Sequence, residues 1–173
     1  MAPGSLQVVT QLALPQLTLL GTLAAGAVAG LIAAVAMLLP MSRQPEGFTP
    51  AYVAASVLRR TTPDEVRFRD ANVAHYGAGI VAGVLYAGCL ALLSAAFPEL
   101  VAVDGVELVP HILSVVVVVL FIYAFFAHLV LPRAGRRIYE EQATAVRGQW
   151  LRSSLVFGAV LVVVGPALVS VVG

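Results

Sequence analysis

The stretch Arg59–Cys89, RRTTPDEVRFRDANVAHYGAGIVAGVLYAGC, decides the fold. It opens as a charged, water-compatible segment and passes without a break into an uncharged run rich in glycine and alanine. Within that run His75, Gly79, Gly83 and Tyr86 stand at i, i+4, i+8 and i+11, which places all four on one stripe of an α-helix. Two residues without bulk, four apart and set between two polar rings, allow a second helix backbone to approach closely. The sequence GTLAAGAVAGLIAAVA upstream offers a matching surface, with Gly26 and Gly30 four apart and flanked by Gly21/Ala25 and Ala29/Ala33. An alanine-rich span with no particular partner is the plainer reading, and contact between two glycine stripes is the one the spacing favours.

Composition widens this local reading to the whole chain. Of 173 residues 60% are hydrophobic and 11% charged, against roughly 25% charged in a soluble domain, so the chain lacks the polar surface to cover itself in water. No charged residue precedes Arg43 or follows Arg152, and Ala71–Pro98 and Leu108–Pro132 contain no Asp, Glu or Arg. Each of these windows exceeds the roughly 20 residues that cross about 30 Å of hydrocarbon. They predict an all-α integral membrane protein, an antiparallel four-transmembrane-helix bundle in a single domain, with spans at about 16–39, 73–97, 109–131 and 151–172. The valine run at 115–119 would suggest a strand in water, but a lone strand leaves its backbone unpaired in lipid, so helix is expected there too. The N-terminal apolar stretch lacks a positive flank and outruns a signal-peptide core, and is read as a mature span. A formal net charge of +1 gives no field for nucleic acid. A single cysteine, Cys89, leaves no internal disulfide and no cysteine-rich metal site, and reads as a small buried apolar residue. All ten basic residues are Arg, a bias of GC-rich prokaryotic genomes.

Prolines and caps mark the boundaries. Pro40 and Pro132 are expected to end the first and third spans, and Gly165-Pro166 to kink the fourth. In the connection 41–72, Thr49-Pro50 starts a short helix, AYVAASVLRR, expected to lie on the membrane surface with Arg59 and Arg60 reaching headgroups. Thr62, Pro63 and Glu65 match a capping box, from which an unbroken helix is expected to run to Pro98, with an Asp64–Arg67 pair at i, i+3. The connection 132–150 reads as a helical approach to the last span, with Tyr139 and Trp150 as interfacial aromatics. The loop 98–108 is short and acidic, with a turn at Asp104-Gly105. Arg43, Arg59, Arg60, Arg67 and Arg69 lie in the first connection, and Arg133, Arg136, Arg137, Arg147 and Arg152 in the last. Arginine on cytoplasmic loops places both connections inside, both termini outside, and the protein in the cell (plasma or inner) membrane as a multi-pass chain. Arg59, Arg60, Arg67, Arg69, Arg133, Arg136 and Arg137 are the expected contacts to headgroups or a partner.

Candidate sites are few. His75 and His128 fall near the same ends of two consecutive spans, and a facing pair of neutral imidazoles is what haem or a metal needs. Haem or quinone is therefore the cofactor to consider, against hydrogen bonds from each ring to a carbonyl. His111 stands near Glu99, Asp104 and Glu107, where a divalent cation is one reading and an exposed acidic loop the favoured one. Tyr86 in mid-span needs a hydrogen-bond partner, with Thr18, Thr22 or Ser114 available. Catalytic motifs such as GxSxG, HExxH and phosphate loops are absent from the sequence, so no enzyme activity is expected.

HYGAGIVAGVLYAG, taken with AGAVAGLIAAVAMLLP, resembles small uncharacterised prokaryotic membrane proteins of the YagU and domain-of-unknown-function kind, over about the first 95 residues. The resemblance implies a four-helix inner-membrane protein of unknown activity. With packing surface plentiful and chemical equipment scarce, the leading expectation is a non-catalytic accessory or structural subunit of a larger membrane assembly, respiratory or transport-related. Its partners are then the bilayer and other membrane subunits or copies of itself. The alternatives are a haem- or quinone-binding protein using His75 and His128, and a small oligomeric channel.

Overall fold

The structure, a computed structural model, describes residues 3–97, 101–103 and 106–171, with the backbone alone described at 3–18 and at 103. In chain order the elements are α1 (Pro3–Arg43), α2 (Thr49–Arg59), a 3-10 turn (Pro63–Glu65) and α3 (Phe68–Ala96). They continue with β1 (Ala102–Val103), β2 (Val106–Glu107), α4 (Leu108–Ala124), a π-helical segment (Phe125–Val130), α5 (Leu131–Ala134) and α6 (Arg137–Val169). Four stretches, Leu19–Arg43, Phe68–Ala96, Leu108–Ala134 and Arg137–Val169, are helical, long and apolar enough to cross a membrane. Helices α1 and α4 each pack on both α3 and α6, which makes a four-membered ring in the order α1, α3, α4, α6. Neighbours run antiparallel: along α1, Gly26, Gly30 and Ala34 meet Ala87, Gly83 and Gly79 of α3 in descending order.

Glycine sets the closest of these contacts. A Cβ on Gly26 would stand 2.5 Å from the Ala87 Cβ, one on Gly79 2.5 Å from the Ala34 Cβ, and one on Gly83 2.8 Å from the Gly30 Cα. Each is shorter than carbon atoms tolerate, so the α1–α3 seam exists because these positions carry no side chain. Around the seam, Ala29, Ala33, Met37, Ala82, Tyr86, Val118, Phe157 and Leu161 form the buried centre.

Several boundaries differ from the sequence-based expectation, each for a local reason. Helix α1 does not stop at Pro40 but runs to Arg43, since a proline ends only the hydrogen bond to the carbonyl four residues back. Helix α2 starts where Thr49-Pro50 indicates, but it does not merely lie on a surface. Ala51, Val53, Ala55 and Ser56 are buried, and Val53 enters a pocket made by Phe126, Leu131 and Val146. The loop before it is pinned by the Glu46 N–H donating to Gln149 Oε1 of α6 at 2.8 Å. The capping box at Thr62–Glu65 forms, with the Thr62 N–H donating to Glu65 Oε2 at 3.2 Å, but it caps one 3-10 turn only. Val66 and Arg67 are extended, and α3 starts afresh at Phe68. Asp70 in its first turn takes Arg59 at 2.6 Å and Arg67 at 3.5 Å, and this replaces the expected Asp64–Arg67 pair. The connection after Pro98 forms a two-stranded antiparallel ribbon, Ala102 opposite Glu107 and Val103 opposite Val106, whose turn at 104–105 lies outside the described residues, as does Glu99.

Pro132 does not end its helix either. It sits in α5, and the chain before it widens into the π segment, where the Leu131 N–H bonds the Phe126 carbonyl five residues back. Pro132 lacks the N–H that His128 would use in α register, and the shift in register accommodates that loss. It leaves the Ala127 carbonyl without a helical donor, because Leu131 is engaged elsewhere and Pro132 has nothing to give. Arg147 Nε of α6 supplies one at 3.1 Å. The Arg147 guanidinium also lies over the Tyr139 ring, 5.5 Å from its centroid. At the other end of α6, Pro166 lies inside the helix, which continues to Val169.

Candidate functional site

Three places combine polar groups with enclosure. The first is near the β-ribbon end, where His111, Tyr86 and α6 meet. Pro166 has no N–H, so the Val162 carbonyl four residues earlier is left unpaired within α6. His111 Nε2 stands 3.1 Å from that oxygen. A carbonyl only accepts, so Nε2 carries the proton and Nδ1 is the acceptor. The Tyr86 hydroxyl, 2.8 Å away, donates to Nδ1. A Cβ on Gly165 would lie 2.6 Å from this hydroxyl, so the residue beside the proline is glycine to admit the ring. The relay thus joins α3, α4 and α6, and His111 is 2% exposed. This corrects two expectations. Tyr86 pairs with His111, and Ser114 bonds the Pro110 carbonyl at 2.7 Å instead, while Thr18 lies outside the described side chains. His111 belongs to no exposed acidic loop, and both its nitrogens face protein partners, leaving neither for a cation. Among the described residues no three metal-ligating side chains gather anywhere.

The second place is an open-sided chamber of about 210 Å³ between α3 and the α4–π segment, bounded at one end by α2 and on one side by α6, with Val81, Leu85, Phe121 and Phe125 exposed along its mouth. Its walls are apolar and aromatic, including Leu85, Phe121, Phe126, Val130 and Trp150, with His75 the ionisable group among them. His75 Nε2 donates to the Ala34 carbonyl of α1 at 2.9 Å, which leaves its Nδ1 as an acceptor. Trp150, half-buried, donates from Nε1 to the Ile122 carbonyl at 3.3 Å and packs its ring on Phe126. His128 does not line this chamber. It is exposed on the π segment with its ring edge-on to Tyr123, 6.0 Å between centroids. The structure therefore does not gather the two imidazoles into one site. Cys89 is half-buried.

The third place is the end of the bundle that bears the arginines. One cleft is bordered by Leu58, Arg59, Arg67, Arg69 and Asp70, and Asp70 already holds Arg59 and Arg67. A second is bordered by Arg60, Thr61, Thr62, Glu65, Arg133 and Arg136. Here Glu65 accepts from the Thr61 hydroxyl and the Thr62 N–H, and these bonds hold its carboxyl below the usual carboxylate range. Arg137 points along its own helix to Glu141 at 3.9 Å. The His111 relay was missed in the sequence, although one signal was present: a proline within a span announces an orphan carbonyl, and a buried donor must be found for it. Comparison with known proteins finds no matching family model, no matching curated protein and no matching solved structure.

Proposed function

We propose that this chain is a multi-pass protein of the cell membrane that works as a non-catalytic accessory or structural subunit, both arginine-bearing connections lying on the cytoplasmic side. The observation that carries this is how the buried polar side chains are used. Tyr86, His111 and Trp150 bond across helices and so hold them together, while Ser114 and Ser154 return to carbonyls of their own helices. Meanwhile α4 turns Leu113, Val116, Val117, Leu120 and Phe121 outward as an apolar stripe suited to lipid or to a neighbouring subunit. The resemblance to YagU-type membrane proteins agrees with this reading and adds no activity to it.

Native mass after gentle extraction, with co-purifying polypeptides identified, tests the proposal. A particle much heavier than one 18.0 kDa chain in its detergent belt, holding other polypeptides in fixed ratio, is expected. A particle of this chain alone removes the subunit reading.

The His75 chamber favours a second reading, binding of a flat lipid-soluble ring of the quinone or quinol kind. Its aromatic walls would hold the ring and His75 Nδ1 would accept from a hydroxyl. Such a ligand should co-purify and give an ultraviolet redox difference spectrum that His75→Ala abolishes. An unchanged spectrum in the variant would place the ligand elsewhere.

A further inference from the structure

Among the described residues, the backbone takes a positive φ at a non-glycine position twice, and both residues are arginines on the same cleft. Arg60 follows α2 with φ 56 and ψ 42. The Arg60 N–H bonds the Val57 carbonyl and the Thr61 N–H bonds the Ser56 carbonyl, a helix-ending loop whose left-handed residue is usually glycine. Arg136 precedes α6 with φ 48 and ψ −125, a region that side-chain-bearing residues avoid and glycine enters freely. Gly135, its neighbour, has an ordinary helical conformation, so glycine stands one position away from where the backbone needs it.

Two connections far apart in sequence thus each place an arginine where glycine would fold more easily, and the two meet with Arg133 in one cleft of about 390 Å³. Arg60 and Arg136 make no side-chain hydrogen bond or ion pair closer than 4.0 Å among the described residues, in contrast to Arg59, Arg67 and Arg137. Among the described residues Arg133 bonds only the Leu129 carbonyl of its own helical run, at 3.1 Å. With three guanidiniums and the one carboxylate of Glu65, the cleft carries a charge of 3 − 1 = +2. Val57, 53% exposed, borders it as an apolar flank.

We infer that this cleft holds the phosphate of an anionic phospholipid, gripped by Arg60, Arg133 and Arg136 while Val57 lies against the start of an acyl chain. Guanidinium forks match phosphate oxygens in pairs, and the exposed aliphatic flank suits a lipid better than a free anion. The site rests on the membrane residence proposed above. The two are separable, because a mass measurement bears on partners whereas lipid retention bears on the cleft.

The test is retention of fluorescent phosphatidylglycerol by the full chain in zwitterionic micelles, in competition with phosphatidylcholine. The variants are Arg60→Gly, Arg136→Gly, their double and Arg133→Gln, beside a control of Arg43→Gln with Arg152→Gln that removes as much charge as the double. Each single cleft variant should lose roughly fivefold in retention and the double about 30-fold. The glycine variants should unfold at the same or a higher temperature than the parent, so loss of retention cannot be loss of fold. Unchanged retention in the double, or an equal loss in the control, overturns the site. Displacement by inorganic phosphate as readily as by a short-chain phosphatidylglycerol overturns the lipid as its source.

Discussion

At Val162 a missing hydrogen on one residue is made good by a ring from another helix. Leaving a buried acceptor unsatisfied costs about 1–3 kcal/mol, so His111→Phe should lower stability by that amount in detergent unfolding. It strips donors from the Val162 carbonyl and an acceptor from the Tyr86 hydroxyl. The cost should shrink when Pro166→Ala restores a backbone N–H to α6, with a coupling of about 0.5–3 kcal/mol in a double-mutant cycle. Additive losses would mean that His111 acts only by filling space. Glycine gives a second residue-scale contrast. Gly83→Ala would set a Cβ 2.8 Å from the Gly30 backbone and should destabilise by about 1–3 kcal/mol. Gly88→Ala meets open space and should be neutral or stabilising by up to about 1 kcal/mol. A similar loss from both would refute the seam as a close-packed contact.

At the scale of elements, caps and prolines act together rather than singly. The turn Thr62–Glu65 is held by a carboxylate accepting from Thr61 and Thr62, and those bonds lower the Glu65 pKa in the folded chain. A depressed carboxyl contributes stability that is fully present above its unfolded pKa and is lost as pH falls through the folded value. The protection of the Thr62 and Glu65 amides, taken relative to intrinsic exchange at each pH, should therefore fall as the solution is acidified through and below the ordinary carboxylate range. Glu65→Gln should remove that dependence, and a variant that kept it would assign the titration to another group. The sequence made the capping box legible because its partners are local. It did not reveal that the helix would stop after one turn, since the extended Val66–Arg67 junction lets Asp70 face Arg59 from α2, a contact across 11 residues that no local pattern encodes. Pro132 shows the same limit: the loss of a donor could be read from the chain, but Arg147 as its remedy belongs to another helix.

For the whole molecule, hydropathy and glycine spacing carried most of the architecture, because span length and backbone approach are properties of single helices. The interior polar arrangement was hidden, because Tyr86, His111 and Val162 are widely separated in the chain and meet only when the ring of helices closes. His75 and His128 show the converse, a plausible sequence pairing that the π segment turns apart. Orientation can be examined by replacing Cys89 with alanine and introducing one cysteine at Ala102 or at Arg43. A membrane-impermeant thiol reagent added outside intact cells should label Ala102→Cys and spare Arg43→Cys. The reverse pattern would invert the topology.

The seat of Val53 has a consequence for how this protein is made. Its pocket consists of Phe126, Leu131 and Val146, and the loop before it is fastened to Gln149. A ribosome that has emitted α1 and α3 has produced α2 and the α3 face on which Ala51 and Ala55 rest, but not the seat of Val53. The nascent chain must carry Val53 unhoused for roughly 90 further residues, a matter of seconds at typical elongation rates. Chains interrupted before α6 would present a half-seated α2 with Val53 uncovered, a mark by which a protease tells a finished molecule from an abandoned one.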